Sequence, residues 1–368
     1  MMKEQTKIII ATGIFPPSIG GPASYSKLLK DRLPELGFDV TVVSFDTVRK
    51  YPKGISHILY FAILLWKSVS AKIIYAQDPV SVGLPAMVVS KILFKKFLLK
   101  IVGDFAWEQG SSRFNIKSSL DEFVVEKQKN SYVRILQFVE KLVAKNAKKI
   151  IVPSNYLKSI VAKWGIDSEK IIVIYNAFNP PKSVEKRLEK KSDYFKVISV
   201  GRLVPWKGFP QVISSVKSLN KEEVKIALEI AGSGPEEKNL KELIGDDKNI
   251  KLLGGLPQTE LHKKIAESDL FVLYTGYEGF SHQLLEVMAL DVPIITTAVG
   301  GNVEIIEDGK NGVLVSGRDV DELTEAIRNL LNDSEKMNRL KNNAKESLLN
   351  YSENRMLGNL NSVIKSLL

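Results

Sequence analysis

Short apolar runs alternate with helix-length segments along almost the whole chain, and this alternation constrains the fold more than any other feature of the sequence. It starts with a strand over residues 7–11 and a glycine- and proline-rich loop over residues 13–22. A helix with one apolar face and a second strand over residues 39–45 follow. A strand, a crossover helix and a second strand form a βαβ unit, which implies a parallel sheet with both faces covered. We therefore predict an α/β fold.

The alternation continues in both halves of the chain. In the first half, further strands are predicted at residues 71–75, 97–102, 149–152 and 171–175. In the second half, strands are predicted at residues 196–200, 225–231, 249–253, 270–274, 293–297 and 312–315. After Asp319 the pattern is helical to the end of the sequence. The sequence thus predicts two parallel sheets, each in its own domain.

A break in composition separates the two sets of strands. Residues 179–193 are rich in proline and charge and have no apolar periodicity, which is typical of an interdomain linker. We predict an N-terminal domain over residues 1–178, a linker over 179–195 and a second domain over 196–350. A C-terminal helix over 351–368 is expected to pack back on the first domain. Open α/β sheets bind ligands at the carboxyl ends of their strands, so we expect a site in a cleft there.

Composition excludes several classes of chemistry. The 368 residues include no cysteine, which rules out disulfides and thiolate catalysis, and only three histidines, so no metal site is predicted. The polar opening over residues 1–7 is unlike a secretory signal peptide. We expect a cytoplasmic protein that needs no metal or other cofactor.

The net charge of +10 lies in the first half of the chain. Residues 1–180 carry 26 Lys and Arg against 14 Asp and Glu, whereas residues 181–368 carry 26 against 28. A basic half beside a near-neutral one indicates that the first half faces an anionic partner. A set of solvated lysines is the alternative. Nucleic acid is disfavoured as the partner because no known nucleic-acid-binding module is visible.

Two segments of the first half favour an anionic membrane surface as that partner. Residues 90–100 interleave lysines with large apolar residues, and residues 54–66 are almost entirely apolar between basic flanks. Both are too short to span a bilayer, which takes about 20 residues, but both could lie at its interface. Lys95, Lys96 and Lys100 would contact the lipid. For residues 54–66, burial in a Rossmann-like layer is the favoured alternative.

The most informative stretch runs from Tyr277 to Glu286. It follows a predicted strand and opens a helix, with Glu278 before the helix and Glu286 about two turns inside it. Eight residues at helical rise would separate the two backbones by roughly 12 Å, beyond the spacing of hydrolytic carboxylate pairs. The two glutamates are placed to hold opposite ends of one elongated ligand. Two ordinary surface glutamates would give the same spacing.

A second cluster, residues 200–208, places Arg202 and Lys207 around a tight turn after a strand. Two fixed cations at that edge suit a diphosphate and could neutralise it without a metal. Glycine turns at residues 20–21, 232–234 and 300–301 mark further loops, but none has the spacing of a dinucleotide-binding or P-loop motif. Hydride transfer and P-loop hydrolysis are therefore disfavoured.

On these motifs the chain resembles the retaining glycosyltransferases of the GT-B fold, family 4. The resemblance covers nearly the whole length. It rests on residues 15–25 (FPPSIGGPASY), 152–156 (VPSNY), 175–177 (YNA), 201–208 (GRLVPWKG), 231–234 (AGSG), 278–286 (EGFSHQLLE) and 299–304 (VGGNVE). The family's fold implies two Rossmann-like domains that face each other across a cleft.

The resemblance also implies roles for individual residues. Arg202 and Lys207 would hold the diphosphate of a UDP- or GDP-sugar, Glu286 the ribose, and Glu278 the transferred sugar. The remaining donor contacts would come from Gly20, Gly21, Gly232, Leu256, Gly279, Phe280 and Ser281. Many family members carry a histidine near the donor sugar, after a strand of the first domain. Here Asp104 is the nearest polar substitute, as a catalytic residue or as a helix N-cap.

The sequence thus predicts a metal-independent, retaining glycosyltransferase at the inner membrane surface. Its acceptor would be a glycan or a lipid-linked molecule in envelope polysaccharide, O-antigen or glycolipid assembly. A nucleotide-sugar 2-epimerase of the same architecture is one alternative. A non-catalytic nucleotide-sugar- or membrane-binding module is the other.

Overall fold

The structure is a computed structural model that describes residues 5–18, 20–52, 54–178, 193–317 and 319–368. The described chain divides into two compact units, Met1–Tyr175 with Met356–Leu368 and Asn176–Arg355. Residues 179–192 of the predicted linker over 179–195 lie outside the described residues, and its last residue, Phe195, opens the first strand of the second unit.

The first unit is built on a six-stranded parallel sheet with the strand order β2-β1-β3-β4-β5-β6. Its strands are β1 (Thr6–Thr12), β2 (Phe38–Ser44), β3 (Ile73–Ala76), β4 (Lys96–Lys100), β5 (Lys149–Val152) and β6 (Ile171–Val173). Its helices are α1 (Gly21–Arg32), α2 (Ile55–Ser68), α3 (Gly83–Ile92), α4 (Phe105–Phe114), α5 (Leu120–Phe123), α6 (Ser131–Asn146) and α7 (Asn155–Lys163). Short 3-10 turns lie at Leu33–Leu36, Phe45–Val48 and Ser168–Lys170.

The second unit repeats this plan with the strand order β12-β11-β10-β7-β8-β9. Its strands are β7 (Phe195–Val200), β8 (Ile226–Ala231), β9 (Ile250–Gly254), β10 (Leu270–Leu273), β11 (Ile294–Thr297) and β12 (Val313–Val315). The helices after β7 are α8 (Phe209–Lys221), α9 (Glu237–Ile244), α10 (Gln258–Ala266), α11 (His282–Ala289), α12 (Val320–Leu331), α13 (Ser334–Ser347) and α14 (Glu353–Ser366). Most of α14 belongs to the first unit.

The central strands of both sheets are apolar along their length because helices cover both faces of each sheet. In β1, Ile8, Ile9 and Ile10 are completely buried, and in β10 every residue from Leu270 to Leu273 is. Each predicted strand occurs in the described residues with its ends within two positions of the prediction. The predicted α/β class with two parallel sheets is confirmed.

Strand order reverses once in each sheet, and the reversal marks where a ligand site is expected. In the first unit the chain winds outward from β1 to β2 and then continues on the other side of β1 with β3. In the second unit it runs from β7 to β9 and then returns to place β10 on the other side of β7. The loops after the strands on either side of such a switch point diverge and leave a crevice. The loops after β7 and β10 are therefore the first place to look for a site.

The segment over residues 90–100 differs from its interpretation as a surface element. It contains the end of α3, a turn at Phe94 and the central strand β4. Lys100 is only 3% exposed, and its ammonium lies 3.2 Å from the centroid of the Tyr25 ring. Burial lowers the pKa of this ammonium well below its usual range. The predicted contact of Lys100 with lipid is therefore wrong, while Lys96 is exposed.

Candidate functional site

The switch point of the second unit brings a lysine and a glutamate together. Lys207 follows β7, Glu278 follows β10, and the Lys207 ammonium forms an ion pair with Glu278 Oε1. The two side chains are only 15% and 14% exposed. A pair this sheltered is less screened by salt than a surface pair, and its charge-assisted hydrogen bond is correspondingly stronger. The arrangement fixes one positive and one negative charge at the carboxyl edge of the sheet.

The loop that carries Lys207 is clamped to the end of β10. The carbonyl oxygen of Trp206 accepts hydrogen bonds from the Gly276 N–H at 2.7 Å and from the Thr275 hydroxyl at 3.1 Å. Gly208 has φ 62°, and a Cβ at this position would collide with the carbonyl oxygen of Tyr274. Only glycine allows this close approach. The position of Lys207 is thus set by backbone contacts on either side of it.

Glu278 is held in the same way by the loop after β11. The Gly301 N–H donates to the Glu278 carbonyl oxygen at 2.8 Å. Gly300 has φ 53°, and a side chain there would overlap that same carbonyl oxygen. The glycine pair found in the sequence therefore serves to position the glutamate that precedes α11.

Buried polar side chains at the ends of β10 and β11 complete this scaffold. The Thr297 hydroxyl donates to the Thr275 carbonyl oxygen at 2.6 Å. The Thr275 hydroxyl shares its one proton between the carbonyl oxygen of Trp206 and the carbonyl oxygen of Tyr277, which lies 2.9 Å away. The amide of Asn302 donates to the Thr296 hydroxyl at 3.0 Å. The sequence analysis missed these residues as contributors to the site. A polar residue that ends an otherwise apolar strand was the available signal.

Arg202 lies on the same loop as Lys207. Its side chain is exposed, and the guanidinium carbon lies 5.5 Å from the centroid of the Trp206 ring. A guanidinium stacks on aromatic rings through its face and binds planar anions through its edge. One loop thus carries two cations, of which Lys207 is sheltered and Arg202 is open to solvent.

The segment from Gly279 to Ser281 leads into α11. Ser281 is buried at the N-cap position, and its side chain makes no capping hydrogen bond. The Phe280 ring packs against Tyr351 and His282, with centroids 5.7 Å and 6.0 Å away. Gly279 and Phe280 would therefore contact a polar ligand through their backbone. The start of α11 adds the partial positive charge of a helix N-terminus.

Glu286 faces a histidine that the sequence analysis did not assign to the site. Because α11 begins at His282, Glu286 lies just over one turn inside the helix, and not two turns as expected. Its Oε2 lies 3.8 Å from Nε2 of His262 on α10, too far for a hydrogen bond. Burial raises the pKa of Glu286 to about 7 and lowers that of His262. Both shifts favour the uncharged forms of the two side chains.

Gly232 and Leu256 lie at the neighbouring strand ends. The Gly232 N–H donates to the Gly254 carbonyl oxygen at 2.8 Å, and a Cβ on Gly232 would collide with the Gly201 carbonyl oxygen. Leu256 is half-buried between β9 and α10. The loop after β8 is thus pressed onto the loop that leads to Arg202 and Lys207.

The remaining predicted residues belong to the first unit. Gly20 is the N-cap of α1 and Gly21 is its first residue. Asp104 is the N-cap of α4, is 1% exposed, and accepts the Trp107 N–H at 2.8 Å. Glu140 lies close by and accepts the N–H of Phe105, the first residue of α4, at 2.6 Å. These contacts are those of a helix cap, and a catalytic role for Asp104 stays a prediction.

The pKa values of Asp104 and Glu140 reflect their shared environment. Burial is the main cause that raises both, Asp104 further raises the pKa of Glu140, and the nearby Glu108 raises both. Within the described ranges, which omit 1–4, 19, 53, 179–192 and 318, no three Asp, Glu or His side chains are grouped so that they could hold a metal ion.

Comparison with known proteins places this architecture in a family. The family model "Glycosyl transferases group 1" matches residues 181–347, and "Glycosyltransferase Family 4" matches residues 113–181. An uncharacterized glycosyltransferase of Methanocaldococcus jannaschii is 25% identical over 352 residues, which cover 94% of each chain. The GDP-mannose-dependent alpha-(1-6)-phosphatidylinositol monomannoside mannosyltransferase of Mycolicibacterium smegmatis is 30% identical over 182 residues, 46% of each chain.

The solved structures extend the likeness to the fold. The crystal structure of Anabaena HepE in complex with UDP superposes with a TM-score of 0.71 at 18% identity, and covers 98% of this chain and 100% of that one. The two parallel α/β units, the family models and the solved structures together identify a glycosyltransferase of the GT-B fold. The chain belongs to glycosyltransferase family 4.

Proposed function

We propose that the protein transfers a sugar from a nucleotide-sugar donor to a membrane-borne acceptor, with retention of configuration and without a metal ion. The observation that carries this proposal is the Lys207–Glu278 pair at the switch point of the second sheet. A donor offers a diphosphate for the cation and sugar hydroxyls for the carboxylate. Each member of the pair can therefore exchange its partner for the part of the donor that it recognises.

The cations act on the leaving group. Lys207 and Arg202 bind the diphosphate and stabilise the charge that develops on it as the bond to the sugar breaks. Stabilisation of developing charge by fixed donors is usually the largest contribution to such a rate enhancement. The two cations of one loop supply that charge without a metal.

The donor's other groups have partners around the same edge. Glu286 accepts hydrogen bonds from the ribose hydroxyls, and Glu278 accepts them from the sugar, with help from the backbone of residues 279–281. Gly232 allows the donor to approach the loops closely, and Leu256 lies beside the base. Gly20 and Gly21 contribute phosphate contacts from the first unit.

Retention follows from attack on the face that the diphosphate leaves. The bond between the anomeric carbon and the phosphate oxygen breaks, and the acceptor hydroxyl oxygen forms the new bond to that carbon. The acceptor's proton passes to the departing phosphate oxygen, so no protein base is required. Asp104 is proposed as a contact to the donor sugar or the acceptor.

Support for the acceptor class comes from charge and from a relative. The excess of lysine and arginine lies in the first half of the chain, which suits an acceptor at an anionic surface. The Mycolicibacterium smegmatis relative is named for transfer to a phosphatidylinositol mannoside, which is a membrane lipid. We accordingly place the protein at the cytoplasmic face of the cell membrane, in assembly of a glycolipid, O-antigen or envelope polysaccharide.

The donor is tested by thermal unfolding with UDP, GDP, ADP and their common sugar conjugates, each with and without Mg²⁺. One nucleotide at about a hundredfold excess over its Kd should stabilise the protein by roughly 2.7 kcal/mol, a shift of several degrees in Tm. The same shift is expected without Mg²⁺. Glu286→Ala, with Glu260→Ala on the exposed start of α10 as the matched control, should reduce the shift.

Two results would contradict the proposal. In the first, no nucleotide changes the Tm and no donor is turned over, so that the chain would share the fold of the family without its activity. The second is conversion of the donor to its 2-epimer in the absence of acceptor, which would identify an epimerase. Proton NMR of the product's anomeric centre separates retention from inversion.

A further inference from the structure

Helix α2 carries an apolar face that points away from the protein. Ile58 and Trp66 are 70% and 75% exposed, while Ser56 and Ser68 on the same helix are 4% and 0% exposed. The outer face of an ordinary surface helix is polar, and its apolar residues face the core. Tyr60 and Leu64 do pack inward, so α2 has two apolar faces, of which one is in contact with solvent.

The turn between α3 and β4 extends this face. Phe94 is 94% exposed and has φ 52°, an unfavourable conformation for a residue with a side chain, and Ile92 is 51% exposed. The Lys95 ammonium donates to the carbonyl oxygen of Val69, the residue after α2, at 2.7 Å. The turn and the end of α2 therefore lie side by side. We call the surface formed by Ile55, Ile58, Trp66, Val69, Ile92 and Phe94 the apolar face.

The stretch of sequence that carries the apolar face has an excess of positive charge. Residues 47–103, which lie between Asp46 and Asp104, contain nine Lys and Arg and a single acidic residue, Asp78. The Asp78 carboxylate is engaged by its own loop, where Oδ1 accepts the N–H groups of Val80 and Ser81 at 2.9 and 2.6 Å. Exposed cations are left without neighbouring carboxylates in sequence. They include Lys72, Lys91 and Lys96.

We propose that the apolar face docks on an anionic lipid bilayer, with Trp66 and Phe94 at the boundary of the acyl chains and the lysines at the lipid phosphates. This inference rests on the proposed function, in which the acceptor is membrane-borne. Tryptophan is enriched at membrane interfaces, and apolar residues rimmed by lysines are typical of surfaces that bind anionic lipid. Lysine is depleted at protein–protein interfaces, which disfavours a protein as the occupant.

The face can lie on the bilayer but cannot cross it. Helix α2 has 14 residues and is about 21 Å long, against the roughly 30 Å of a hydrocarbon core. Among the residues that the structure describes, no helix is long and apolar enough to span a membrane. Docking in the plane of the interface is the geometry that this length allows.

The test is flotation of the full chain with vesicles of phosphatidylcholine alone and of phosphatidylcholine mixed with phosphatidylglycerol. We expect binding to the anionic vesicles only, with a blue shift in fluorescence on binding. Trp66 is the most exposed tryptophan, since Trp107 and Trp164 are 4% and 5% exposed and Trp206 is half-buried, and the blue shift should be lost in Trp66→Ser, which keeps the other three. The blue shift should weaken as salt increases.

Variants assign the binding to the face. Trp66→Ser and Phe94→Ser should each lower the vesicle partition coefficient about tenfold, and Lys91→Gln and Lys96→Gln about fivefold each. The matched controls are Leu349→Ser and Lys238→Gln, which should bind as the unaltered protein does. Both side chains lie in the second unit and are 78% and 86% exposed. Each variant changes an outward side chain, so Tm should stay within a few degrees.

Three outcomes would overturn the inference: equal binding to neutral vesicles, unchanged partition of both aromatic variants, or a dimer in light scattering that Trp66→Ser converts to a monomer. Nucleotide stabilisation is measured on the same samples. If Trp66→Ser loses vesicle binding and keeps its nucleotide shift, the two surfaces are independent. If the unaltered protein floats but no nucleotide changes its Tm, the proposed donor fails while the docking surface stands.

Discussion

The two units share one architecture but use the polar residues at their strand ends differently. In the second unit, Lys207 and Glu278 bind each other through their side chains. In the first unit, Asp78 and Asp104 accept hydrogen bonds from the backbone of their own loops and helices. The ion pair can open towards a ligand without leaving a backbone N–H unsatisfied. A capping carboxylate that turned towards a ligand would leave one.

The two units also differ in the charges that they bring together. The ion pair joins opposite charges, whereas Asp104 and Glu140 are like charges in a buried setting that raises the pKa of both. Protonation relieves the like-charged pair, but it would break the opposite one. A polar residue at the carboxyl edge of a sheet therefore indicates a ligand site only when its partner is one that a ligand can replace.

Removal of the Lys207 cation should have the largest effect on turnover, and it tests the ion pair on which the comparison of the two units depends. Lys207→Met is expected to lower kcat at least 100-fold at saturating donor, because the leaving diphosphate loses a fixed positive charge. The substitution also leaves Glu278 without its partner. Lys207→Met/Glu278→Gln removes both charges, and recovery of turnover in this double variant would trace the slow rate of Lys207→Met to the unbalanced carboxylate and not to the lost cation. Turnover is measured by release of the nucleoside diphosphate.

Lys238→Met serves as the control, because this lysine lies on the exposed side of α9, where its side chain is 86% exposed. It should leave kcat unchanged. A Lys207→Met variant that turns over within threefold of the unaltered protein would remove the cation from the mechanism. The ion pair at the switch point would then be structural, like the caps of the first unit.

The next effect is on donor binding and its pH dependence. In its proposed role, Glu286 would accept the ribose hydroxyls best when it is ionised, and burial raises its pKa to about 7. Donor affinity should therefore increase as pH rises from 6 to 8. Glu286→Gln should weaken binding about tenfold at pH 8 and remove this part of the pH dependence. Calorimetric Kd values at each pH check both effects, and the difference between the two proteins cancels the titration of the diphosphate itself.

The raised pKa of Glu286 also makes the stability of the protein depend on pH. The folded state keeps a proton on Glu286 that the unfolded chain releases near its ordinary pKa, so the free energy of unfolding falls as pH rises from about 4.5 through 7. Glu286→Gln should unfold with a weaker pH dependence over this range. A variant with the same pH dependence of both Kd and unfolding as the parent would mean that Glu286 does not titrate there.

Much of the fold was predictable because it depends on local pattern. Each strand is an apolar run bounded by turn residues, and the helices between them carry the crossovers that parallel pairing requires. The loop glycines were also visible, as at Gly208 and Gly300. The reason that glycine is needed at these two positions was not visible, because each glycine lies against a carbonyl oxygen in the loop after another strand.

Features that depend on tertiary partners could not be predicted from sequence. The spacing of Lys100 among apolar residues resembles a basic rim, but Tyr25 on α1 covers its ammonium. His262 carries no motif of its own, and it reaches Glu286 only because α10 and α11 pack together. Helix α2 shows the opposite case: its apolar residues favoured burial, which holds for Tyr60 and Leu64, but Ile55, Ile58 and Trp66 face solvent.

The smallest effect on activity is expected at Asp104, where the comparison of the units can be tested most directly. Asp104→Asn keeps an oxygen that can cap α4 and removes a charge beside Glu140. Because the pKa of Asp104 is raised, the unaltered protein loses stability as pH rises through the folded pKa. The variant should lose less stability between about pH 4 and pH 6, the range between the ordinary and the raised pKa of Asp104, and keep turnover within about threefold, the scale of a substitution away from the reacting atoms.

Asp104→Ala is the matched variant because it removes the cap itself. It leaves the buried N–H of Trp107 without its acceptor, which should cost about 1–3 kcal/mol in the free energy of unfolding at either pH. Urea unfolding measures the stability of both variants, and a donor assay measures their turnover. A loss of about 100-fold in turnover by Asp104→Asn with stability intact would instead give Asp104 a part in the reaction. A capping carboxylate could then also serve a ligand, and the distinction drawn between the two units would fail at this residue.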